Sequence, residues 1–247
     1  MLLMDAVVVK NLSYQYQPRG PYVLKDINLE VKPGELAVIT GLSGCGKSSL
    51  CLCLSGAIRH QRYGVMSGEV SLNGQNIEDI KGGQLALHVG IVFQDPDTQL
   101  FSPTVEDEIA FAPENLCLPP PQIRQRVDYV IDLLGIAALR YAHPEQLSGG
   151  QKQLVALAAV LALDPPLLIL DEAMSQLDSN DKKIVADTLE KLREAGKTII
   201  AVEHNLEDLS FADRLLVMEA GQIIRFDRME AILEDREFLL ERRLIYI

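Results

Sequence analysis

Gly41-Leu42-Ser43-Gly44-Cys45-Gly46-Lys47-Ser48 fits G-x-x-x-x-G-K-[ST], the spacing of a phosphate-binding P-loop. The apolar run Leu36-Ala37-Val38-Ile39-Thr40 precedes it and reads as a buried parallel strand. Ser48-Ser49-Leu50-Cys51-Leu52-Cys53-Leu54 follows and reads as the start of a helix. That strand–loop–helix order is the context the motif requires. Glycines at 41, 44 and 46 let the backbone wrap close to an anion, with the N–H groups of Ser43, Cys45 and their neighbours turned inward. The helix N-terminus, with Ser49 in its first turn, adds partial positive charge. Lys47 is placed to reach β- and γ-phosphates, and the Ser48 hydroxyl to ligate Mg²⁺.

Working outward, the chain of 247 residues is long enough to bury a sizeable core. Its 48% hydrophobic and 23% charged content is that of a globular domain. A net charge of −12 argues against a nucleic-acid-binding face as the main function and against direct adsorption to anionic lipid. Cys45, Cys51, Cys53 and Cys117 show no C-x-x-C spacing, which fits a reducing compartment better than a disulfide framework or zinc site. The start, Met1 to Asp5, lacks the pattern of a secretory signal. The uncharged stretch Leu154–Leu163 is shorter than the roughly 20 residues a spanning helix needs, so a membrane role would go through a partner.

Ala6 to Tyr16 reads as a first strand, residues 17–21 as a turn, and Val23 to Val31 as a half-buried strand. A polar connection runs from His60 to Met66, and Asn73-Gly74 marks a type I′ hairpin. Val89 to Phe93 is another strand, ending at Gln94. From Asp95 to about Val160 the strand signal fades. Val105, Ile109 and Phe111 are expected on one helix face, Pro119-Pro120-Pro121 as a break, and residues 122–134 as an amphipathic helix. Leu147-Ser148-Gly149-Gly150-Gln151 opens a nearly all-apolar helix. Leu167 to Leu170 is a buried strand ending in Asp171-Glu172. Asp181 to Ala195 is an amphipathic helix with Gly196 as its cap, and Thr198 to Val202 is a buried strand ending in Glu203-His204. A hairpin about Ala220-Gly221 and a charged, helical tail complete the chain. The expectation is one α/β P-loop NTPase domain over 1–247: a core with an antiparallel β-subdomain (1–94 and 161–247) and a helical insertion (95–160). The P-loop, Asp171-Glu172 and His204 all end apolar strands, so they should converge on one nucleotide.

These residues resemble an ATP-binding cassette (ABC) ATPase over nearly the whole chain. Leu147 to Gln151 matches the signature LSGGQ, Leu167 to Glu172 the Walker B strand, Gln94 the Q-loop glutamine, His204 the switch histidine and Ser175-Gln176-Leu177-Asp178 the D-loop. Phe93 to Phe111 is similar to the Q-loop region of energy-coupling-factor (ECF) transporter ATPases, which serve vitamin or transition-metal-ion import. The match departs at Ala173-Met174, where many relatives have Pro-Thr, and at Gln176, where alanine is commoner.

The resemblance implies ATP and Mg²⁺ as cofactors, with Asp171, Ser48 and Gln94 around the metal. Glu172 would act on the attacking water, and His204 and Lys47 on the γ-phosphate. His60, His88 and His143 read as structural. Tyr16 is expected to stack on adenine, with Tyr14 as rival and core packing as the plain alternative. Ser148, Gly149, Gly150 and Gln151 would contact ATP held by a second ATPase subunit, a copy or a paralogue, with Asp178 at the seam. Modification of the Cys45 thiol is expected to block ATP by bulk. The implied partners are a transmembrane coupling protein and a substrate-binding membrane subunit, not nucleic acid. The implied place is the cytoplasmic face of the cell membrane, peripherally bound. The alternative is a soluble ABC ATPase acting on ribosomes or DNA. No long coiled coil, second cassette or basic segment supports it.

Overall fold

The computed structural model describes residues 5–60 and 64–245. The chain runs β1 (Val7–Gln15), β2 (Leu24–Val31), β3 (Leu36–Thr40), α1 (Lys47–Leu54), β4 (Val65–Leu72), β5 (Gln75–Asn76), α2 (Gly82–Leu85) and β6 (Val89–Val92). It continues through α3 (Val105–Asn115), α4 (Pro120–Leu133) and α5 (Gly149–Leu161) to β7 (Leu167–Asp171), α6 (Ser179–Glu194), β8 (Thr198–Val202), β9 (Arg214–Glu219), β10 (Gln222–Arg228), α7 (Met229–Leu233) and α8 (Arg236–Glu241).

Two sheets form. One is a six-stranded sheet in the order β10-β9-β3-β8-β7-β6, parallel except for the β9–β10 hairpin. The other is antiparallel, β2-β1-β4-β5. The central parallel strands β3, β7 and β8 are buried at every position, and apolar except at Thr40, Asp171 and Thr198 at their ends, because both faces are covered. Leu36 and Val38 of β3, with Leu168 and Leu170 of β7, pack among residues of α3 to α6. Ala37, Ile39, Leu167 and Ile169 pack with α1 and the antiparallel sheet. Successive strand residues point to opposite faces, so a strand buried on both is apolar on both.

Local signals set several boundaries. Asn73 and Gly74 adopt φ of 49° and 80° between β4 and β5, as a type I′ turn demands. The α6 end is a Schellman motif: Lys197 N–H donates to Leu192 O, and Gly196 N–H to Arg193 O. Two sequence expectations are corrected. Phe111 is 43% exposed while Val105 and Ile109 are buried, because six residues at about 100° each turn Phe111 well away from Val105. Pro120 and Pro121 begin α4 rather than merely interrupting the chain, since the first helical turn has no use for their missing N–H groups. The 60–66 connection lies partly outside the described residues; β4 already begins at Val65.

Candidate functional site

The P-loop joins the carboxyl end of β3 to α1. Gly41 must be glycine: a Cβ there would stand 2.3 Å from the Met218 carbonyl oxygen. Lys47, 4% exposed, folds back so that Nζ donates to Gly41 O at 2.9 Å and Leu42 O at 3.4 Å. The same Nζ lies 3.9 Å from Glu172 Oε1. An ammonium this deeply buried needs anionic or carbonyl partners. It uses its own loop and the Glu172 carboxylate.

Register explains how the other groups arrive. β8 lies between β3 and β7, so residues following β7 and β8 emerge beside the loop. Ser48 Oγ donates to Asp171 Oδ1 at 3.0 Å. Asp171 is buried, and burial pushes its carboxyl above the ordinary range; the Ser48 hydrogen bond and Lys47 oppose that, and Glu172 adds to it. Glu172 takes a left-handed backbone, φ 52°, with its N–H bonded to Val202 O at 3.1 Å. Its Oε1 meets His204 Nε2 at 2.9 Å. Val23, Ser43, Gly44, Gly46, Lys47, Ser48, Ser49, Gln94 and Glu172 line a cleft of 390 Å³. A larger groove of 850 Å³ opens at the amino end of β3, on the side away from these groups.

Tyr16 and Tyr14 separate clearly. Tyr14 is buried in the core, whereas Tyr16 is 41% exposed and its hydroxyl is 3.0 Å from Ser49 Oγ. Tyr14 is therefore a packing residue, and Tyr16 alone faces outward beside the cleft. Cys45 sits within the loop. It is buried, and its Sγ fills the back of the loop, 2.8 Å from where a Gly41 Cβ would stand. Cys45 lines a small pocket with Val217, Met218 and Leu244 and is not among the residues lining the 390 Å³ cleft. His143 Nδ1 accepts the Glu145 N–H, a local turn contact.

The signature residues lie elsewhere. Ser148 caps α5 with a capping box: its Oγ accepts the Gln151 N–H at 3.2 Å, and the Gln151 side chain accepts the Ser148 N–H at 3.0 Å. None of Ser148, Gly149, Gly150 or Gln151 lines the cleft in its own chain. Asp178 caps α6, accepting the N–H groups of Asn180 and Asp181. Gln176 stands over the start of α5, its Oε1 3.0 Å from a Cβ placed on Gly149.

Sequence reading passed over three residues. Gln153, 2% exposed, donates to Phe93 O at 3.0 Å and ties α5 to the segment carrying Gln94. Gln99 brackets the same segment, accepting from Phe93 N–H and donating to Ile91 O. Glu203 is buried with its carboxylate on the Met174 N–H. The available signal was position at the border of an apolar run: Gln153 immediately precedes Leu154–Leu163, and Glu203 immediately follows Thr198–Val202.

A glycine-rich loop closing on Lys47 at a parallel strand end, beside a carboxylate pair, defines a P-loop nucleoside triphosphatase. Residues 24–175 match the family described as ABC transporter, and the chain belongs to that family of ATP-hydrolysing cassettes. It is 45% identical over 228 residues to the energy-coupling factor transporter ATP-binding protein EcfA of Methanosarcina acetivorans, covering 92% of this chain and 81% of that protein. Some relatives are longer: the chain spans 34% of a putative ABC transporter ATP-binding protein of the same organism, at 42% identity over 88% of this chain. Among solved structures, cbiO1 of Clostridium perfringens, part of the ABC transporter complex cbiONQ, is similar with TM-score 0.81 and 33% identity over 96% of this chain and 94% of that one. The ATP-binding cassette MJ0796, a dimer bound to ADP and Pi, has TM-score 0.80 and 26% identity over 90% of this chain and 98% of that one.

Proposed function

We propose that this chain is the ATPase of an ECF-type importer, hydrolysing ATP between its own P-loop and the signature helix of a second cassette. The observation that carries the reading is the separation of the two halves of the site: Lys47, Ser48, Gln94 and Glu172 line one cleft, and Ser148 to Gln151 do not reach it. A complete site then needs a second chain. The α5 N-terminus, with the partial positive charge of a helix start, suits the γ-phosphate of ATP on that partner, with Asp178 at the seam.

In this reading the amides of residues 41–46 and Lys47 grip the phosphates, and Tyr16 stacks on the adenine. Ser48 and Asp171, paired hard oxygens 3.0 Å apart, fit Mg²⁺, and Gln94 would complete the set. Mg²⁺, when bound, neutralises charge on the β- and γ-phosphates. Glu172 accepts a proton from the attacking water, whose oxygen bonds to the γ-phosphorus as the bond to the β-γ bridging oxygen breaks, leaving ADP and phosphate. His204, held on Glu172, turns to the γ-phosphate as it arrives. The division into core (1–94, 161–247) and helical (95–160) parts would let Gln94 report the nucleotide to the membrane partners.

Membrane subunits are expected to dock near Gln94–Phe111. There Phe101, 65% exposed, stacks edge-on against Phe111 at 4.6 Å. Among the described residues no helix is long and apolar enough to cross a membrane. Purification of the full chain from detergent-solubilised membranes tests the reading. It predicts recovery of two integral membrane proteins, one coupling and one substrate-binding, on the cytoplasmic face. Recovery with ribosomal particles or DNA instead would contradict it.

A further inference from the structure

Three consecutive residues at the end of β8 bear on Glu172. Val202 O accepts the Glu172 N–H at 3.1 Å, and His204 Nε2 meets Glu172 Oε1 at 2.9 Å. Between them Glu203 turns its side chain inward. Its Oε1 accepts the Met174 N–H at 3.2 Å, and its own N–H continues the ladder to Ile39 O at 3.1 Å. Glu203 is 4% exposed and Met174 is 1% exposed. The turn fastened in this way is the one that holds Glu172 left-handed, with Glu172 O accepting both the N–H and the Oγ of Ser175. A buried carboxylate is expensive, and a lone backbone N–H is modest compensation. A neutral side chain would pack there at lower cost to stability, so the acid calls for an explanation in the site.

We propose that Glu203 is a positioning residue for Glu172: through the Met174 N–H it fixes the turn after β7 and keeps the Glu172 carboxylate in register with His204. The inference rests on the reading of Glu172 as the group that engages water. Charged groups face Glu203 from each packed element: Asp208 and Lys182, themselves paired at 2.7 Å, and Glu172. Burial, helped by Asp208 and Glu172, pushes the Glu203 carboxyl up to about 7, with the Met174 N–H and Lys182 opposing. The anion is the stronger acceptor for the Met174 N–H, so the turn that carries Glu172 is fastened most firmly when Glu203 is ionised. Turnover should therefore rise as Glu203 ionises.

The test compares Glu203→Ala, Glu203→Gln and Glu172→Gln in the full chain, purified with the proteins that accompany it. Glu203→Ala should lower kcat about tenfold or more while the KM for ATP stays within about twofold, as expected for a misplaced group that does not touch substrate. Glu203→Gln keeps an acceptor oxygen. It should restore most of kcat near neutrality, yet lack the rise that the parent shows between about pH 6 and 8. A Glu203→Ala enzyme with parental kcat, or a loss of kcat in Glu203→Gln equal to that in Glu203→Ala, would overturn the proposal. If Glu203→Ala does not fold, the glutamine variant decides alone, and a pH profile superimposable on the parent refutes it. Full turnover by Glu172→Gln would instead remove the underlying reading of Glu172.

Discussion

His204 Nε2 lies 2.9 Å from Glu172 Oε1, on the same oxygen that Lys47 Nζ approaches to 3.9 Å. One carboxylate oxygen thus faces both the P-loop lysine and the histidine that follows β8. ATP would redistribute these contacts, drawing Lys47 and His204 toward the phosphates and freeing Glu172 for water.

Lys47→Ala should weaken ATP binding by on the order of tenfold to a hundredfold, the usual worth of hydrogen bonds to a charged group. Fluorescent-nucleotide titration measures this directly. Parental affinity in the variant would show that the loop does not hold phosphate through Lys47.

Tyr16→Ala should raise the KM for ATP about tenfold, since stacking on a base contributes roughly 1–3 kcal/mol. Tyr16→Phe should stay near the parent, because the ring face and not the bond to Ser49 does the binding. Equal loss in both would indicate that the hydroxyl contact matters instead.

Cys45 should resist aqueous thiol reagents. It is buried, and burial raises its thiol pKa, leaving little thiolate to react. Exposed Cys117 should label first, with ATP binding intact. Labelling of Cys45, once forced by partial unfolding, should displace the loop from behind. Rapid Cys45 modification in the folded protein would contradict this packing.

Glu203 also predicts a pH dependence of stability. Its folded-state pKa of about 7 lies above the 4.5 of an ordinary glutamate, so the folded protein binds the proton more tightly than the unfolded chain. Stability attributable to this group is then full below about pH 4.5 and falls as pH rises toward 7, by up to about 3 kcal/mol. Glu203→Gln should accordingly unfold at a higher temperature than the parent at pH 8 and lose that advantage near pH 5. Calorimetry at the two pH values gives the comparison.

Much of this site could be read before the structure, because it is built from short local patterns. Strand, loop and helix around Gly41–Ser48 are contiguous, and the capping box of Ser148 and Gln151 is a four-residue signal. What escaped notice depends on long-range contact. Glu203 meets Met174 only because β7 and β8 are neighbours. The choice between Tyr16 and Tyr14 turns on where β1 ends: Tyr14 lies inside the strand, and Tyr16 follows its last residue, Gln15. Phe111 is apolar like Val105 and Ile109, which suggests one shared helix face, whereas helical spacing turns it outward, where it meets Phe101.

The central claim is that Glu172 drives hydrolysis of an ATP covered by a second cassette. Light scattering and phosphate release from the Glu172→Gln chain, purified with its partners and given Mg-ATP, test it most directly. The account predicts a stable ATP-bound pair of cassettes with turnover lowered by about a hundredfold or more. Cassettes that remain unpaired in ATP and release phosphate at the parental rate would contradict it.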